Sequence, residues 1–360
     1  MSVAVQLNMF PEAQDDLQAA VDTFSNQGVK HEHFSHFIDE LVTSFKSCRA
    51  GSTIVAACPG GQATDEVLGE FAERVRSFEI RTHRGPSNFG FLRINAPSGL
   101  SAQRVNRELI DRYRTALHQA RICHRTKPRY SEDCPAMDLP KTEIGQLVDF
   151  VLYKNPQMIV VTDADKLARD CAPPAEVRAA FRVVMDIASQ SGVTHMICCS
   201  TYTLLKLLED AEFVSAIEPH ILRPYDYSDA RQKSVFAGVL ADYDEFLPWS
   251  GDDALSKKHK SIDEVVAGDP ERVRRWILKA LNGAMTANQT RLDWSNFEAT
   301  MPRPAQVSLA QEERNKIIEA FPAKKIAKPC GGLPNQNRAQ QKPLKPGQRK
   351  DTRDPANLAG

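Results

Sequence analysis

The sequence predicts an α/β protein: a parallel sheet flanked by helices, then a small all-helical domain and a disordered basic tail. Two observations carry this. Between residues 29 and 222, β-like apolar runs alternate with amphipathic helical stretches, the pattern of a parallel sheet covered on both faces. After Leu222 the period is helical, and beyond Phe321 the chain is rich in Pro, Gly, Gln, Asn and basic residues with almost nothing to bury. At 360 residues and 42% hydrophobic content the chain can bury a sizeable core.

Taken in order, residues 1–28 read as an N-terminal extension with one helical piece (Leu17, Val21, Phe24). Residues 29–222 read as the α/β core. A helix over residues 32–47 places Phe34, Phe37, Ile38, Leu41, Val42 and Phe45 on one face. Strand candidates follow at residues 53–57, 90–95, 157–162 and 194–200. Helices are predicted over residues 67–75, 101–120, 143–153 and 175–191. Residues 123–139 lack periodicity and read as an inserted loop. Residues 223–320 read as the helical domain, with helices over 227–243, 271–287 and 294–301. Residues 321–360 form the tail. No internal repeat is found.

Net charge is zero, so the overall balance selects no partner. Its distribution is uneven: residues 321–360 hold nine Lys or Arg against two Asp, a net +7, and the body is correspondingly acidic. No window approaches the ~18 apolar residues of a membrane helix. The N-terminus lacks the basic flank and long apolar run of a signal peptide. The eight cysteines are scattered, which favours a cytoplasmic chain with reduced thiols.

The stretch STIVAACPGGQAT (residues 52–64) has the strand–loop–helix setting of a phosphate-cradling P-loop. Laid on Ala57–Thr64, the consensus G-x-x-x-x-G-K-[ST] meets Ala57, Gln62 and Ala63 where it needs Gly, Gly and Lys; Thr64 alone matches. A second segment, PQMIVVTDADKL (156–167), is a hydrophobic strand ending in acids, as used to hold magnesium and polarise water. One register puts Thr162 at the metal-side Asp and Asp163 at the catalytic Glu; the other puts Asp163 and Ala164 there. Asp163 and Asp165, two apart, would share one side of an extended strand end. A solvated strand end is the bland alternative. In GVTHMICCSTYTLLKLL (192–208) a strand ends in Ser-Thr and enters a helix directly, which a simple N-cap also explains.

The order of these segments resembles the TniB/TnsC family of AAA+ transposition regulators, relatives of the Mu B protein. The likeness spans about residues 29–301. It takes in RINAPSGLSAQRVNRELIDRY after the second strand, FVSAIEPHIL, and a lid-like DPERVRRWILKALNGAMTANQTRLDWSNFEAT. It implies a P-loop AAA+ sheet with a helical lid, and a nucleotide site at Gly60, Gly61, Ala63, Thr64, Thr162, Asp163 and Thr201. Thr201 or Ser200 would fill the place that senses a γ-phosphate. Asp163 is the one catalytic candidate. The departures are Ala63 for the lysine, the incomplete acidic pair, and Ala216 where an arginine would reach a neighbouring subunit. Arg272 and Arg274 lie near the lid arginine that contacts phosphate, or are solvated surface.

Losing those charges strips the stabilisation that phosphoryl transfer depends on, an arginine finger alone giving ~10³-fold or more. The expectation is therefore a pseudo-ATPase with degenerate Walker motifs that requires no cofactor, ATP and magnesium serving only as a structural ligand if they bind. The implied partners are duplex DNA, a transposase, a target-selector protein and further copies of the chain in a ring or filament. In this resemblance the helix after the second strand faces DNA, giving Arg104, Arg107 and Arg112, beside Arg114. Pairing with Glu108 and Asp111 in a solvated helix is the alternative. Lys342, Lys345, Arg349 and Lys350 of the tail would add sequence-independent phosphate contact. Two other classes stay open: a protein-interaction module in defence or plasmid maintenance, and an active ATPase with an unorthodox P-loop. No metal site is predicted, since Cys123, His124 and Cys134 lack zinc spacing and His31, His33 and His36 read as partly exposed histidines.

Overall fold

A computed structural model describes residues 11–26, 31–59, 64–81, 91–97, 102–120, 143–169 and 174–321. Five strands form one parallel sheet: β1 (Thr53–Cys58), β2 (Leu92–Asn95), β3 (Ile159–Thr162), β4 (His195–Ser200) and β5 (Ile217–Ile221). Their order is β2-β3-β4-β1-β5, with Ala56 level with Cys198 and His220, and Ile94 level with Val161. This is the strand order of AAA+ cores, and the predicted parallel sheet flanked by helices is found, with helices after it; the predicted tail lies outside the described residues beyond residue 321. The chain leaves β1 for the far edge and returns, so the crevice at the carboxyl end of β1 is where such sheets bind ligands.

The inner strands β1, β3 and β4 are buried along their whole length, as a sheet covered on both faces requires. On one face Ile54, Ala56, Cys58, Met158, Val160, Met196 and Cys198 pack under α2 (Glu32–Ser47) and α3 (Thr64–Arg81). The alternate residues Val55, Ala57, Ile159, Val161, Ile197 and Cys199 are equally buried. The helices α4 (Ala102–Gln119), α5 (Glu143–Lys154) and α7 (Pro174–Ser191) pack on one another, α4 also on β2 and α7 on β4. The remaining core helices are α6 (Asp165–Arg169), α8 (Thr201–Leu208) and α9 (Ala211–Ala216).

Periodicity missed β5. Its sequence IEPHI carries a proline and is not a continuous apolar run; it is the sheet's second edge, where a missing ladder N–H is tolerated.

After β5 come α10 (Ala230–Asp244), a 3-10 turn at Ser256–Lys258, α11 (His259–Val266), α12 (Pro270–Thr286), α13 (Trp294–Ala299) and α14 (Pro304–Ala320). Tyr225, Phe236, Leu240, Tyr243, Trp276, Ile277 and Phe297 form their core. The helix α1 (Pro11–Asn26) contributes Leu17, Ala20 and Phe24 to that same core, and Phe24 meets Tyr243 edge-on at 5.5 Å. At ~1.5–3 kcal/mol for each large buried apolar side chain, α1 is an integral helix of this bundle. The chain to Ile317 packs as one unit; residues 318–360 are a second, described only at 318–321. No helix among the described residues is long and apolar enough to cross a membrane.

Candidate functional site

The crevice opens where β1 runs out. Cys58 and Pro59 are buried, and burial pushes the Cys58 thiol well above the usual range. Gly60, Gly61 and Ala63 lie outside the described residues, as do Cys123, His124, Cys134 and the tail residues Lys342, Lys345, Arg349 and Lys350. Thr64 is the first residue of α3.

At the tip of β3 the structure corrects the expected common side for Asp163 and Asp165. The strand ends at Thr162, and Asp163 turns the chain with a left-handed φ of +56°. Thr162 is fully buried; its hydroxyl donates to Asn95 Oδ1 at 2.6 Å and accepts from Arg93 Nε at 3.3 Å. Asp163 pairs with Lys166 Nζ at 2.8 Å, both about half exposed. Asp165 is buried and faces the tip of β4. It accepts the Ser200 amide at 2.8 Å, the Ser200 hydroxyl at 2.5 Å and the Thr203 hydroxyl at 2.6 Å. A left-handed residue at the strand end sends the two carboxylates to different partners.

At the tip of β4, Ser200 caps α8 by accepting the Thr203 amide. The N-cap role expected of this Ser-Thr pair thus falls to Ser200, anchored by Asp165. Thr201 is fully buried and its hydroxyl has no hydrogen-bond partner among the described residues. Ala216 ends α9 as an exposed methyl group.

The lid arginines are neither solvated nor free. Arg272 faces Asp269 Oδ2 at 3.2 Å, without hydrogen-bond alignment, and also pairs with Glu313. Arg274 bonds Glu271 at 2.7 Å, faces Glu66 of α3 at 3.4 Å and donates to the Phe24 carbonyl. Glu66 is held above the usual carboxylate range, mainly by burial and then by Glu271, with Arg274 opposing. Asp269 caps α12, and burial pushes its carboxyl up to about 7 against the Arg272 charge. The lead into α12 is fixed by two left-handed residues, Ala267 and Gly268.

Arg93 was missed by the sequence reading. From β2 it reaches Thr162 and pairs through Nη1 with Asp65 in the first turn of α3 at 2.5 Å. Its signal was legible: a lone arginine between Leu92 and Ile94 in a strand.

On α4, Arg104 and Arg107 are exposed. Arg112 is engaged within the fold, donating to the Asn95 and Ala96 carbonyls at 2.9 and 3.2 Å and to Glu108 at 3.2 Å. Arg114 pairs with Asp111 at 3.3 Å.

The histidines of α2 serve structure. His31 caps the helix and meets the Tyr225 hydroxyl at 3.1 Å; burial lowers its pKa to about 3. His33 stacks on Tyr225 at 4.0 Å, so both share one partner. A cavity of about 320 Å³ beside α2 and β5 is lined by residues including His36, Ser44 and His220. Ser44 donates its proton to Glu218, so His220 Nε2, 2.7 Å away, must donate to the hydroxyl; this is the reverse of nucleophile activation. No group of residues able to hold a metal is found among the described residues.

Neither a protein-family model nor a curated protein matches the sequence. Among solved structures, Drosophila ORC bound to DNA is similar at 11% identity, over 83% of this chain and 68% of that one, with a TM-score of 0.44. The Aeropyrum pernix ORC2 protein in its ADPNP-ADP complexes is similar at 12%, over 77% and 70%, with a TM-score of 0.43. The Aeropyrum pernix ORC1 protein in complex with DNA is similar at 13%, over 85% and 71%, with a TM-score of 0.41. Likeness at this level leaves the fold to be assigned by the sheet order itself.

Proposed function

We propose that the chain is a DNA-associated AAA+ scaffold that does not turn over ATP. The observation that carries this reading is the occupancy of the acids at the sheet's carboxyl end. Thr162 stands where a metal-holding acid belongs, Asp163 is paired with Lys166, and Asp165 is consumed by Ser200 and Thr203. Metal binding and water activation use a pair of acids, and here Asp163 alone remains, with its Oδ2 held by Lys166. With Ala63 in place of the lysine, the charges that stabilise phosphoryl transfer are absent from the motif that normally supplies them.

The DNA part is supported by exposed Arg104 and Arg107 and by the net +7 of residues 321–360. The segment order resembling TniB/TnsC regulators favours, within this reading, a self-assembling adaptor between a target selector and a transposase. The tests are phosphate release from ATP with and without duplex DNA, and a gel shift on random duplex at graded salt. Release at background and a salt-dependent shift are expected. Robust turnover abolished by Asp163→Ala refutes the scaffold. No shift at low salt removes the DNA role and leaves an interaction module.

A further inference from the structure

Arg93 opens the segment RINAPSGLSAQRVNRELIDRY but is given no role there, yet its guanidinium stands at the carboxyl end of the sheet. Its side chain leaves edge strand β2 level with Val160, on the face covered by α3, and bonds both Thr162 at the tip of β3 and Asp65 in the first turn of α3. Its field also reaches β4, where it opposes the effect of burial on the Cys198 thiol. One cation thus serves three neighbouring strands and the start of α3.

The anion it holds is displaceable. Asp65 is 77% exposed and Arg93 is 43% exposed, and ion pairs this open to water contribute little. A guanidinium binds phosphate oxygens with the same planar fork it offers a carboxylate. The first amides of α3, which no intrahelical carbonyl accepts, lie beside Asp65. Thr201, next after the end of β4, carries a fully buried hydroxyl without a partner among the described residues.

We infer that Arg93 is a phosphate-binding residue, standing in from β2 for the lysine that Ala63 lacks, and that Asp65 is its built-in competitor for the phosphate. The ligand class is a nucleoside polyphosphate. Binding is metal-independent, because the guanidinium supplies the cation, Thr162 is bonded to Asn95 in the metal-side place, and Asp165 is held by Ser200 and Thr203. This inference rests on the proposed scaffold reading and names what its crevice holds.

The test uses the full chain and a fluorescent methylanthraniloyl-ATP, titrated in magnesium and in EDTA, with tripolyphosphate as competitor. Parent, Arg93→Ala, Arg93→Lys and Asp65→Asn are compared, each checked for folding by thermal melting. Asp65→Asn binds several-fold tighter, Arg93→Ala loses about tenfold or more, and Arg93→Lys falls between. EDTA changes nothing and tripolyphosphate displaces the probe. Binding by Asp65→Asn alone supports the inference as well, since it identifies Asp65 as the occupant. If Arg93→Ala fails to fold, the Arg93→Lys and Asp65→Asn arms decide. Equal binding by parent and variants, loss of binding in EDTA, or no saturable binding by parent and Asp65→Asn overturns it. The last result leaves the scaffold reading standing, because phosphate release and the gel shift decide that separately.

Discussion

Asp165 takes both the amide and the hydroxyl of Ser200, tying the start of α6 to the end of β4. The Thr203 hydroxyl completes the set, so a single buried carboxylate fixes the strand tip and the cap of α8 together. Replacing it with alanine leaves the buried Ser200 amide and the Thr203 hydroxyl short of an acceptor, while the Ser200 hydroxyl keeps Thr203 Oγ1 at 3.2 Å. A loss of about 2–4 kcal/mol is expected. Thermal melting of Asp165→Ala reads it, and a melting point equal to the parent's rejects this role.

Gly268 sits beneath Tyr225 at a distance only glycine tolerates. A Cβ there would lie 2.0 Å from the Tyr225 carbonyl oxygen, at a φ of +71°, while the Gly268 carbonyl accepts the Tyr225 amide at 2.8 Å. Gly192 offers the control, with a φ of +68° and open space around it. Gly192→Ala is expected to cost about 1 kcal/mol from the left-handed backbone alone. Gly268→Ala adds a backbone clash and should cost well over ~3 kcal/mol or abolish soluble expression. Similar melting points for the two variants would contradict the close approach.

Asp269 makes stability depend on pH. Its carboxyl is raised to about 7, by burial above all and by Glu271, against Arg272. A carboxyl raised on folding binds its proton more tightly in the native state, so its contribution is complete below pH ~4 and lost as pH climbs to about 7. Asp269→Asn keeps an N-cap acceptor and removes the charge. The variant should show a flatter decline in melting temperature between pH ~4 and ~7 than the parent. His31, lowered to about 3, acts oppositely: its contribution is complete above pH ~6.5 and lost on acidification. A parent and Asp269→Asn with parallel profiles would mean the carboxyl ionises normally.

Much of this fold is visible in the residue pattern, and the gaps have physical causes. The helix over 32–47 is bounded as predicted because six large apolar residues share one face and His31 caps it. The inner strands are legible as continuous apolar runs, whereas β5 is hidden by its proline and mixed burial. The place of α1 in the helical core was not legible, since three buried residues on a short helix do not reveal which distant surface they meet. The missing lysine needed only the motif; Arg93 was visible as a lone arginine in a strand, but its partners needed the sheet order, which sets β2 beside β3. Likewise Arg272 and Arg274 look like a basic helix in sequence, and only packing brings Asp269, Glu313, Glu271 and Glu66 to them.

Tyr113 and His195 form an unusual buried pair. Both are fully buried with rings 6.0 Å apart, and neither the Tyr113 hydroxyl nor His195 Nε2 has a partner among the described residues. His195 Nδ1 donates to the Val193 carbonyl at 2.8 Å, which leaves Nε2 as a bare acceptor. Removing an unpaired buried hydroxyl is neutral or stabilising, so Tyr113→Phe should melt at or above the parent temperature. A loss exceeding ~1 kcal/mol would show instead that the two groups are linked in solution, directly or through water.

The arginines of α4 divide into two kinds, and their variants should separate accordingly. Arg112 holds the end of β2 through the Asn95 and Ala96 carbonyls, so Arg112→Ala is expected to lower the melting temperature. Arg104 and Arg107 are exposed, so the double alanine variant should melt like the parent. Each DNA phosphate that a variant no longer neutralises reduces the slope of log affinity against log salt by about 0.9. If both residues meet DNA, the double variant reduces that slope by roughly 2 and weakens binding evenly across sequences. An unchanged slope places the DNA-binding surface elsewhere, and deletion of residues 322–360 then tests the tail. A slope unchanged in that truncation too would remove the electrostatic case for a DNA-bound scaffold.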